Sequence, residues 1–411
     1  MREIMMSKSK QRIDLIRKGI IPDGYKKTKA GIIPADWEIH PLSQHLSESR
    51  IPGSNGSIAK KLSVKLWNKG VCEKREVHSG SESTKYYKRK KGQFIYSKLD
   101  FLNCAFGIIP EELDGYESTI DLPCFDLSDV NDYYFLSYIT QPKFYSHYGM
   151  LADGGRKARR VDPEEMLSFP LVFPPLPEQQ KIAKILSTQD KVIELKEKLL
   201  EQKQIQKKWL MQKLLSNDGA IFTLGGLRID KSGWKKEKLG NITEISTGNK
   251  DTQDKIDDGE YPFYVRSPIP ERINSYSYDG EAILTAGDGV GVGKVIHYVN
   301  GKFDFHQRVY KISDFDKELA LGKYVYYYFV EYFYDRVKRM SAKNSVDSVR
   351  FDMISGMLIL LPPLPEQQAI AEVLSTADKE IDLLKSEIEQ EKLKKKSLMQ
   401  LLLTGIARVE V

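Results

Sequence analysis

The chain has 411 residues, of which 41% are hydrophobic and 29% are charged, and its formal net charge is +6. These values are typical of a soluble globular protein, and the mildly basic charge does not decide alone between nucleic acid and other partners. The apolar runs are too short to span a bilayer and the N-terminus lacks a secretion-signal pattern, so we expect a cytoplasmic protein. Cys72, Cys104 and Cys124 lie far apart, which argues against a disulfide framework or a zinc site.

The sequence divides into segments that alternate between dissimilar and repeated patterns. In chain order they are an N-terminal segment (1–35), a first domain (36–173), a first helical region (174–216), a linker (217–232), a second domain (233–361) and a second helical region with the C-terminal tail (362–411). Short β-type runs separated by glycines dominate both domains, and helical stretches such as 323–340 lie between them. Residues 1–24 fit either a short helix packed near the helical regions or a loose tail.

The strongest pattern is a duplication. Pro174–Gln180 recurs as Pro362–Gln368, 188 positions later, and 25 of the 42 positions that begin at Pro174 are identical without a gap. Each copy predicts one long helix, because proline is favoured in a first turn, glutamate suits the N-terminal end, and neither glycine nor proline interrupts residues 178–215 or 366–403. Such a helix is roughly 57 Å long, which is too long for the interior of a small domain.

The charges and apolar positions of the two helices favour pairing with each other. Residues spaced alternately four and three apart from Ile370 are apolar at eight of ten positions, and the matching positions of the first helix at six of ten. Between 178 and 215 there are nine Lys against five acidic residues, and between 366 and 403 six against eight. The alternative is two unconnected surface helices. Residues predicted to pair the helices or to bind a partner are Pro177, Gln180, Ile193, Lys196, Lys203, Pro365, Gln368, Ile381, Leu384 and Ile388.

These patterns predict an α+β fold in which two globular domains with twisted β-sheets are separated by two long helices. The helices are expected to form an antiparallel coiled coil, and the whole chain to carry a pseudo-twofold internal repeat. A glycine-rich run, Gly287–Lys294, lacks the spacing and the Ser or Thr of a phosphate-binding loop, so it predicts a hairpin that lets the backbone approach a neighbour or a ligand. We find no catalytic, cofactor-binding or metal-binding motif in the sequence.

Basic, aromatic and amide side chains cluster in segments of both domains that we interpret as loops. Such groups neutralise phosphates and read base edges, although a single charged run can equally be a solvated loop. The candidate DNA contacts are Lys85, Tyr87, Lys88, Arg89, Lys90, Lys91, Lys98, Arg156, Lys157, Arg159 and Arg160 in the first domain, and Tyr264, Arg266, Ser267, Lys294, Gln307, Arg308, Lys343, Asn344, Ser345 and Arg350 in the second.

From about Tyr25 onward the sequence resembles the specificity subunits of type I restriction-modification systems. The resemblance rests on the repeated Pro-Pro-Leu-Pro-Glu-Gln-Gln motif and on the alternation of two variable domains with two helical regions. The ending from Leu398-Met399-Gln400 to Thr404-Gly405 and the segments 105–110 and Gly287-Asp288-Gly289 are similar too.

The resemblance implies that each domain is a target-recognition domain that reads half of an asymmetric, bipartite DNA site in the major groove, with the helices setting the spacer. It also implies two methyltransferase subunits, which bring S-adenosylmethionine and methylate adenine at N6, and two restriction subunits that use ATP and Mg. This chain itself would be non-catalytic and bind no cofactor. The alternatives are a coiled-coil scaffold that does not bind DNA, a stand-alone enzyme, and a recognition subunit of a methyltransferase that lacks restriction.

Overall fold

A computed structural model describes residues 2–75, 81–151, 160–216, 218–289, 291–341 and 348–409, with side chains from residue 10 onward. The chain forms two compact units: unit 1 comprises residues 1–195 with 388–411, and unit 2 comprises residues 196–387. Each unit therefore contains one globular domain and one segment of each long helix. No helix in the described ranges is both long and apolar enough to cross a membrane.

Unit 1 begins with helix α1 (Arg2–Arg17) and a hairpin of β1 (Tyr25–Thr28) and β2 (Gly31–Pro34). The strands of its domain are β3 (Glu38–Pro41), β4 (Leu46–Ser49), β5 (Ile51–Asn55), β6 (Leu62–Val64), β7 (Val71–Glu73), β8 (Lys85–Lys88), β9 (Phe94–Tyr96), β10 (Phe106–Ile108), β11 (Glu117–Ser118), β12 (Cys124–Leu127) and β13 (Pro170–Phe173). Its helices are α2 (Asp132–Ile139), α3 (Pro142–Leu151) and α4 (Pro163–Ser168). Two small sheets, with the orders β10-β9-β12-β4 and β11-β8-β5, form the body of the domain.

Aromatic side chains fill the core of this first domain. Phe94, Phe106 and Phe125 are fully buried on three adjacent strands, and the Phe135 ring of α2 meets the Phe94 ring edge to face at 5.0 Å. Such residues bury large areas on a short strand. The domain can therefore build a core although most of its strands have only three or four residues.

The long helices are α5 (Leu176–Leu215) and α9 (Leu364–Leu402). Between them unit 2 contains β14 (Ile221–Leu224), β15 (Leu227–Asp230), β16 (Lys235–Lys238), α6 (Leu239–Ile242), β17 (Glu244–Thr247), β18 (Tyr261–Tyr264), β19 (Glu271–Ile273), β20 (Tyr278–Ala286), β21 (Ile296–Phe305), β22 (Val309–Ser313), α7 (Gly322–Met340), α8 (Phe351–Ser355) and β23 (Leu358–Leu361). Its main sheet has the order β17-β22-β20-β21-β18-β19 and is mixed, because β18 runs parallel to β21.

The predicted antiparallel pairing of the helices is confirmed in each unit. In unit 2, Lys196 and Lys203 of α5 form ion pairs with Glu387 and Glu380 of α9, at 2.7 and 2.8 Å, so the numbering of one helix rises as that of the other falls. In unit 1, Gln189 bonds Glu391 at 2.7 Å. Of the other residues predicted to pair the helices, which we call the seam, Ile193, Ile381 and Ile388 are buried and Leu384 is partly buried. The two lysines of the seam thus set the register of the helices.

A repeated set of contacts fastens each long helix to its domain. Trp37 donates its indole N–H to Glu178 in the first turn of α5, and Trp234 donates to Glu366 in the first turn of α9, both at 2.9 Å. Each tryptophan precedes a strand that pairs with the last strand of its domain, β3 with β13 and β16 with β23. The two tryptophans therefore open their domains with the same local structure.

A buried glutamine in each copy of the motif makes a second repeated set of hydrogen bonds. Gln179 and Gln367, one residue after these glutamates, are buried, and their amide N–H groups donate to the carbonyls of Pro174 and Pro362 at 2.9 and 2.8 Å. Their amide oxygens accept from the backbone N–H groups of Asn131 and Leu321, just before α2 and α7. Each glutamine therefore ties the start of a long helix to the loop that follows the domain's sheet.

Two hairpins were not predicted from the sequence, and of the two alternatives for residues 1–24 the structure has the helix. The linker 217–232 contains the hairpin β14–β15, whose counterpart is the hairpin β1–β2 in the N-terminal segment. Each hairpin ends a few residues before its tryptophan. Residues 2–17 form a helix, and Arg12 donates to the carbonyl of Ile406 at 2.9 Å, so the N-terminal segment packs against the C-terminal tail.

Candidate nucleic-acid interface

In unit 2 two predicted arginines converge on one carboxylate. Arg266, which follows β18, donates to Asp288 at 2.9 Å, and Arg308, which precedes β22, lies 3.8 Å from the same carboxylate. The side chains of Arg266 and Arg308 are 44% and 65% exposed. Asp288 can therefore hold both guanidinium groups in place while their remaining N–H donors face solvent.

Glycines on both sides of Asp288 allow the backbone to pack this closely. A Cβ at residue 287 would lie 2.9 Å from the carbonyl oxygen of Arg308, and one at residue 291 would lie 2.6 Å from the carbonyl oxygen of Arg266. The carbonyl of Gly287 also accepts from the N–H of Val349 at 2.7 Å. The hairpin predicted from the glycine-rich run is confirmed, and it contacts three other predicted segments.

A loop that sequence reasoning missed completes this surface. Gln307 donates its side-chain amide to Asp251 at 2.8 Å and its backbone N–H to the carbonyl of Lys250. His306 is buried, and its Nδ1 accepts from the backbone N–H of Arg308 at 2.9 Å. Burial, reinforced by the neighbouring Arg266, lowers the pKa of His306, which keeps Nδ1 available as an acceptor. The polar run Gly248–Asp251 directly after β17 is the signal that could have found this loop.

The other predicted residues of unit 2 differ in exposure. Arg350 is 63% exposed and directly follows the Val349 that bonds Gly287. Lys294 is exposed and lies over the Tyr334 ring, 5.0 Å from its centre. Tyr264 and Ser267 are partly buried, and the Ser267 hydroxyl is bonded to the carbonyl of Ile269, which leaves it less available to a ligand. Lys343, Asn344 and Ser345 lie outside the described residues.

In unit 1 the first four residues of the basic run 85–91 form strand β8, whereas the sequence predicted a loop. Lys85 and Lys88 lie at the two ends of β8 and are exposed, while Tyr87 between them is partly buried. Lys90 and Lys91 follow and are exposed, with Lys91 paired to Glu111 at 2.6 Å. The strand is held between β5 and β11, so its exposed lysines are presented from a fixed backbone.

Arg89 was predicted to contact DNA, and this prediction is wrong. Its side chain is only 2% exposed, and its guanidinium donates to the Ser118 hydroxyl at 2.8 Å and to the carbonyls of Ser49 and Leu122 at 2.7 and 3.2 Å. A buried guanidinium whose donors already bond carbonyls has none to offer a phosphate. Its neighbours Lys88 and Lys90 are exposed, so the three consecutive basic residues alternate in burial although the sequence shows no alternation.

Lys98 and Arg160 form a second basic group in unit 1. Lys98 is only 13% exposed and pairs with Asp162 at 2.8 Å, whereas Arg160 is 55% exposed and lies 3.9 Å from Asp121. Asp121 lies next to Leu122, whose carbonyl accepts a hydrogen bond from Arg89. The buried Arg89 therefore helps to position the loop beside Lys98 and Arg160. Arg156, Lys157 and Arg159, also predicted as contacts, lie outside the described residues.

Comparison with known proteins identifies the family. A family model for the type I restriction modification DNA specificity domain matches residues 122–203 and 231–393, which is more than half of the chain. The chain belongs to this family. The resemblance to type I specificity subunits noted in the sequence is thereby confirmed, and the two domains occupy the places of the target-recognition domains.

Individual relatives agree with this assignment. The chain is 29% identical over 166 residues to the Escherichia coli type I restriction enzyme EcoDI specificity subunit, covering 40% of this chain and 35% of that subunit. It is 28% identical over 281 residues to the type I restriction enzyme MjaVIII specificity subunit of Methanocaldococcus jannaschii, covering 61% and 65%. The matches thus span about a third and about two thirds of these relatives' lengths.

Solved structures show the same fold over almost the whole chain. The S subunit of a type I restriction-modification system from M. genitalium superposes with a TM-score of 0.61 and 14% identity, covering 91% of this chain and 96% of that one. A chain solved for the structural basis of complex assembly and conformational transition of the type I R-M system gives a TM-score of 0.56 and 14% identity, covering 92% and 99%. The predicted fold class is therefore confirmed.

Proposed function

We propose that the chain reads an asymmetric, bipartite DNA site, one half with each domain, and directs adenine-N6 methylation and restriction there by partner subunits. The observation that carries the proposal is the convergence in unit 2 of Arg266 and Arg308 on Asp288, with Gln307 next to Arg308 and bonded to Lys250 and Asp251. Arginine and glutamine are the side chains that pair bidentately with guanine and adenine in the major groove. A carboxylate that orients an arginine makes such reading more selective, because the guanidinium no longer samples other directions.

In this proposal the chain performs no chemistry and binds no cofactor. Two methyltransferase subunits supply S-adenosylmethionine and flip out the target adenines, and two restriction subunits supply ATP- and Mg-dependent cleavage. The long helices set the spacer between the half-sites, since roughly 57 Å of helix corresponds to about one and a half turns of duplex. The protein works where the DNA is, in the cytoplasm.

The test is DNA binding by the complex of this chain with its methyltransferase subunit. Arg266→Ala and Arg308→Ala should each weaken binding to the target duplex, with a loss of about 1–3 kcal/mol for a base contact and a salt slope lower by about one for a phosphate contact. Arg228→Ala is the matched control, because Arg228 is 73% exposed on the hairpin strand β15, in a different part of unit 2.

Either outcome is informative about the surface. Unchanged affinity and unchanged salt slope in both variants would remove the Asp288 loop from the DNA contact. If the complex showed no salt-dependent affinity for any duplex, the chain would be a protein scaffold instead.

A further inference from the structure

A carboxylate in the middle of α5 binds the first domain and the other long helix at the same time. In unit 1, Asp190 accepts a hydrogen bond from the hydroxyl of Tyr133, which lies on the domain's helix α2. The same carboxylate pairs with Lys395 of α9 at 2.5 Å. Asp190 therefore joins three elements: the domain and both long helices.

Unit 2 contains the same arrangement on the other helix. Asp378 of α9 accepts a hydrogen bond from the hydroxyl of Tyr327, on the domain's helix α7, at 2.8 Å. It also pairs with Lys207 of α5. The shift of 188 positions relates Asp378 to Asp190 and Lys395 to Lys207, so the duplication accounts for the carboxylates and for the lysines.

The helices α2 and α7 can be aligned through a contact that both make with the last strand of their domain. The hydroxyl of Tyr134 donates to the carbonyl of Val172 at 2.9 Å, and that of Tyr324 to the carbonyl of Leu360 at 2.8 Å. The two accepting residues are again 188 positions apart. Tyr134 and Tyr324 therefore occupy equivalent positions.

The tyrosines that bind the carboxylates are, in contrast, not equivalent. In this alignment Tyr133 corresponds to Lys323, and Tyr327 corresponds to Ser137, one helical turn further on. Residues four apart lie on the same face of a helix, so both tyrosines face the long helix, but from successive turns. The two units thus share the hydroxyl–carboxylate bond although different residues supply it, which indicates that the bond itself is required.

This bond attaches each domain to its long helix at a second point. Gln179 binds the backbone just before α2, and Asp190 lies eleven residues further along α5, roughly 16 Å away at helical rise. Apolar packing extends as far as Leu186, but it is not directional. A polar attachment confined to the first turn would let the domain pivot, and the bond from Tyr133 fixes its angle. Lys395 makes that angle depend on the second helix as well.

We propose that Tyr133 and Tyr327 are positioning residues for the length of the DNA spacer. Their hydroxyl groups fix the angle of each recognition domain on its long helix, and this angle determines where the half-site of that domain must lie. One base pair advances the duplex by about 3.4 Å. A domain that can pivot by about this distance accepts a spacer one base pair shorter or longer. The inference rests on the proposed function, because only a bipartite site has a spacer.

The experiment uses the full chain in complex with the methyltransferase subunit. The substrates are duplexes with both half-sites, taken from the methylation motif of cells that carry the wild-type chain, and with the natural spacer or one changed by a single base pair. The measured quantity is the ratio of the methylation rate on the natural spacer to that on the changed spacers. Tyr133→Phe and Tyr327→Phe each remove one hydroxyl and should lower this ratio at least threefold, and the double variant should lower it further.

Tyr134→Phe and Tyr324→Phe are the matched controls. Each removes a hydroxyl from the same helix, but one that binds the last strand of the domain instead of the long helix. A buried carbonyl then loses its donor, so the melting temperature should fall while the spacer ratio stays unchanged. A purely structural role for Tyr133 and Tyr327 would give the behaviour of these controls.

An unchanged ratio in the double variant, or an equal fall in the controls, would overturn the positioning role. The proposed function would remain intact, because the wild-type complex would still methylate a bipartite site. Altered discrimination within a half-site would also overturn the inference, since the tyrosines would then act on base reading. A wild-type chain that directs methylation to no bipartite site would overturn the proposed function, and the inference with it.

Discussion

The two units solve the same structural problem with different residues. In both, the indole of a tryptophan bonds a glutamate at the start of a long helix and lies beside a cation. Beside Trp37 the cation is Arg408 of the C-terminal tail, which bonds both Glu178 and Asp36. Beside Trp234 it is Lys231, which lies three residues before the tryptophan and bonds Asp218 and the carbonyl of Lys213 near the end of α5.

The recognition domains, in contrast, differ in the sheets that lie between their first and last strands. The first builds two small sheets from short strands around buried phenylalanines, and the second builds one mixed sheet around β20 and β21. We call the two long helices, together with the tryptophan and the glutamate that fasten each of them to its domain, the frame. Because this frame is alike in both units, each domain can change without disturbing the helices. The residues that fasten the long helices are therefore alike in both units, and the residues of the domains differ and can specify different DNA targets.

The largest expected effect comes from the tryptophans of the frame. Trp37→Ala and Trp234→Ala should each reduce the free energy of unfolding by about 3–5 kcal/mol, because a large buried side chain is replaced by a cavity. Denaturant unfolding of the two variants measures this. Two similar losses would support an equivalent frame, and a loss below about 1 kcal/mol at either site would contradict it.

Lys88 and Arg89 are neighbours in the chain, but we expect Lys88 to contact DNA and Arg89 to stabilise the fold of the domain. Arg89→Met should cost about 2–3 kcal/mol of stability, because the carbonyls of Ser49 and Leu122 lose their donor. Lys88→Met is the matched control and should change stability by less than about 0.5 kcal/mol while it weakens DNA binding. A stable Arg89→Met protein with impaired DNA binding would restore Arg89 as a contact.

The glutamates should differ although their tryptophan bonds are alike. Glu178→Gln removes the charge that Arg408 pairs with, so it should cost about 1–2 kcal/mol more than Glu366→Gln. Thermal unfolding of the two single variants tests this difference. Equal costs would show that the C-terminal tail contributes nothing to the frame of unit 1.

The smallest expected effect is on the pH dependence of the free energy of unfolding, and it should occur in both units. Hydrogen bonds from Arg408 and Lys231 lower the pKa of Asp36 and of Asp218 below the usual 3.8. Because each folded pKa is lowered, the stabilisation is complete above about pH 4 and is lost as the pH falls through the folded value. Asp36→Asn and Asp218→Asn should each flatten the acid limb of a stability profile, and an unaltered limb would contradict this.

The sequence predicted the frame better than the surface. The duplication, the long helices and the pairing role of Lys196 and Lys203 follow from periodicity and charge, which act along a single chain and leave a readable pattern. The hairpin β14–β15 was missed because its strands have four residues and its turn lies in a glycine pair that also fits a linker. A sequence pattern of this length does not distinguish a short hairpin from an unstructured linker.

The candidate site could be predicted only in part. Arg266, Arg308 and the Gly287 loop were chosen from the sequence, but their meeting at Asp288 depends on strand pairings between distant segments. Arg89 failed because charge alone does not report burial when the partners are backbone carbonyls. Lys250 was missed because the polar run that contains it indicates a loop after a strand but does not show that this loop lies beside Gln307.

The central claim is that one frame carries two independent readers. The most direct test is long-read sequencing of adenine methylation in cells that carry this chain, and in cells where residues 36–173 are replaced by those of another family member. We expect one bipartite motif with a spacer, of which the replacement alters one half only. A change in both halves, or methylation that does not depend on this chain, would contradict it.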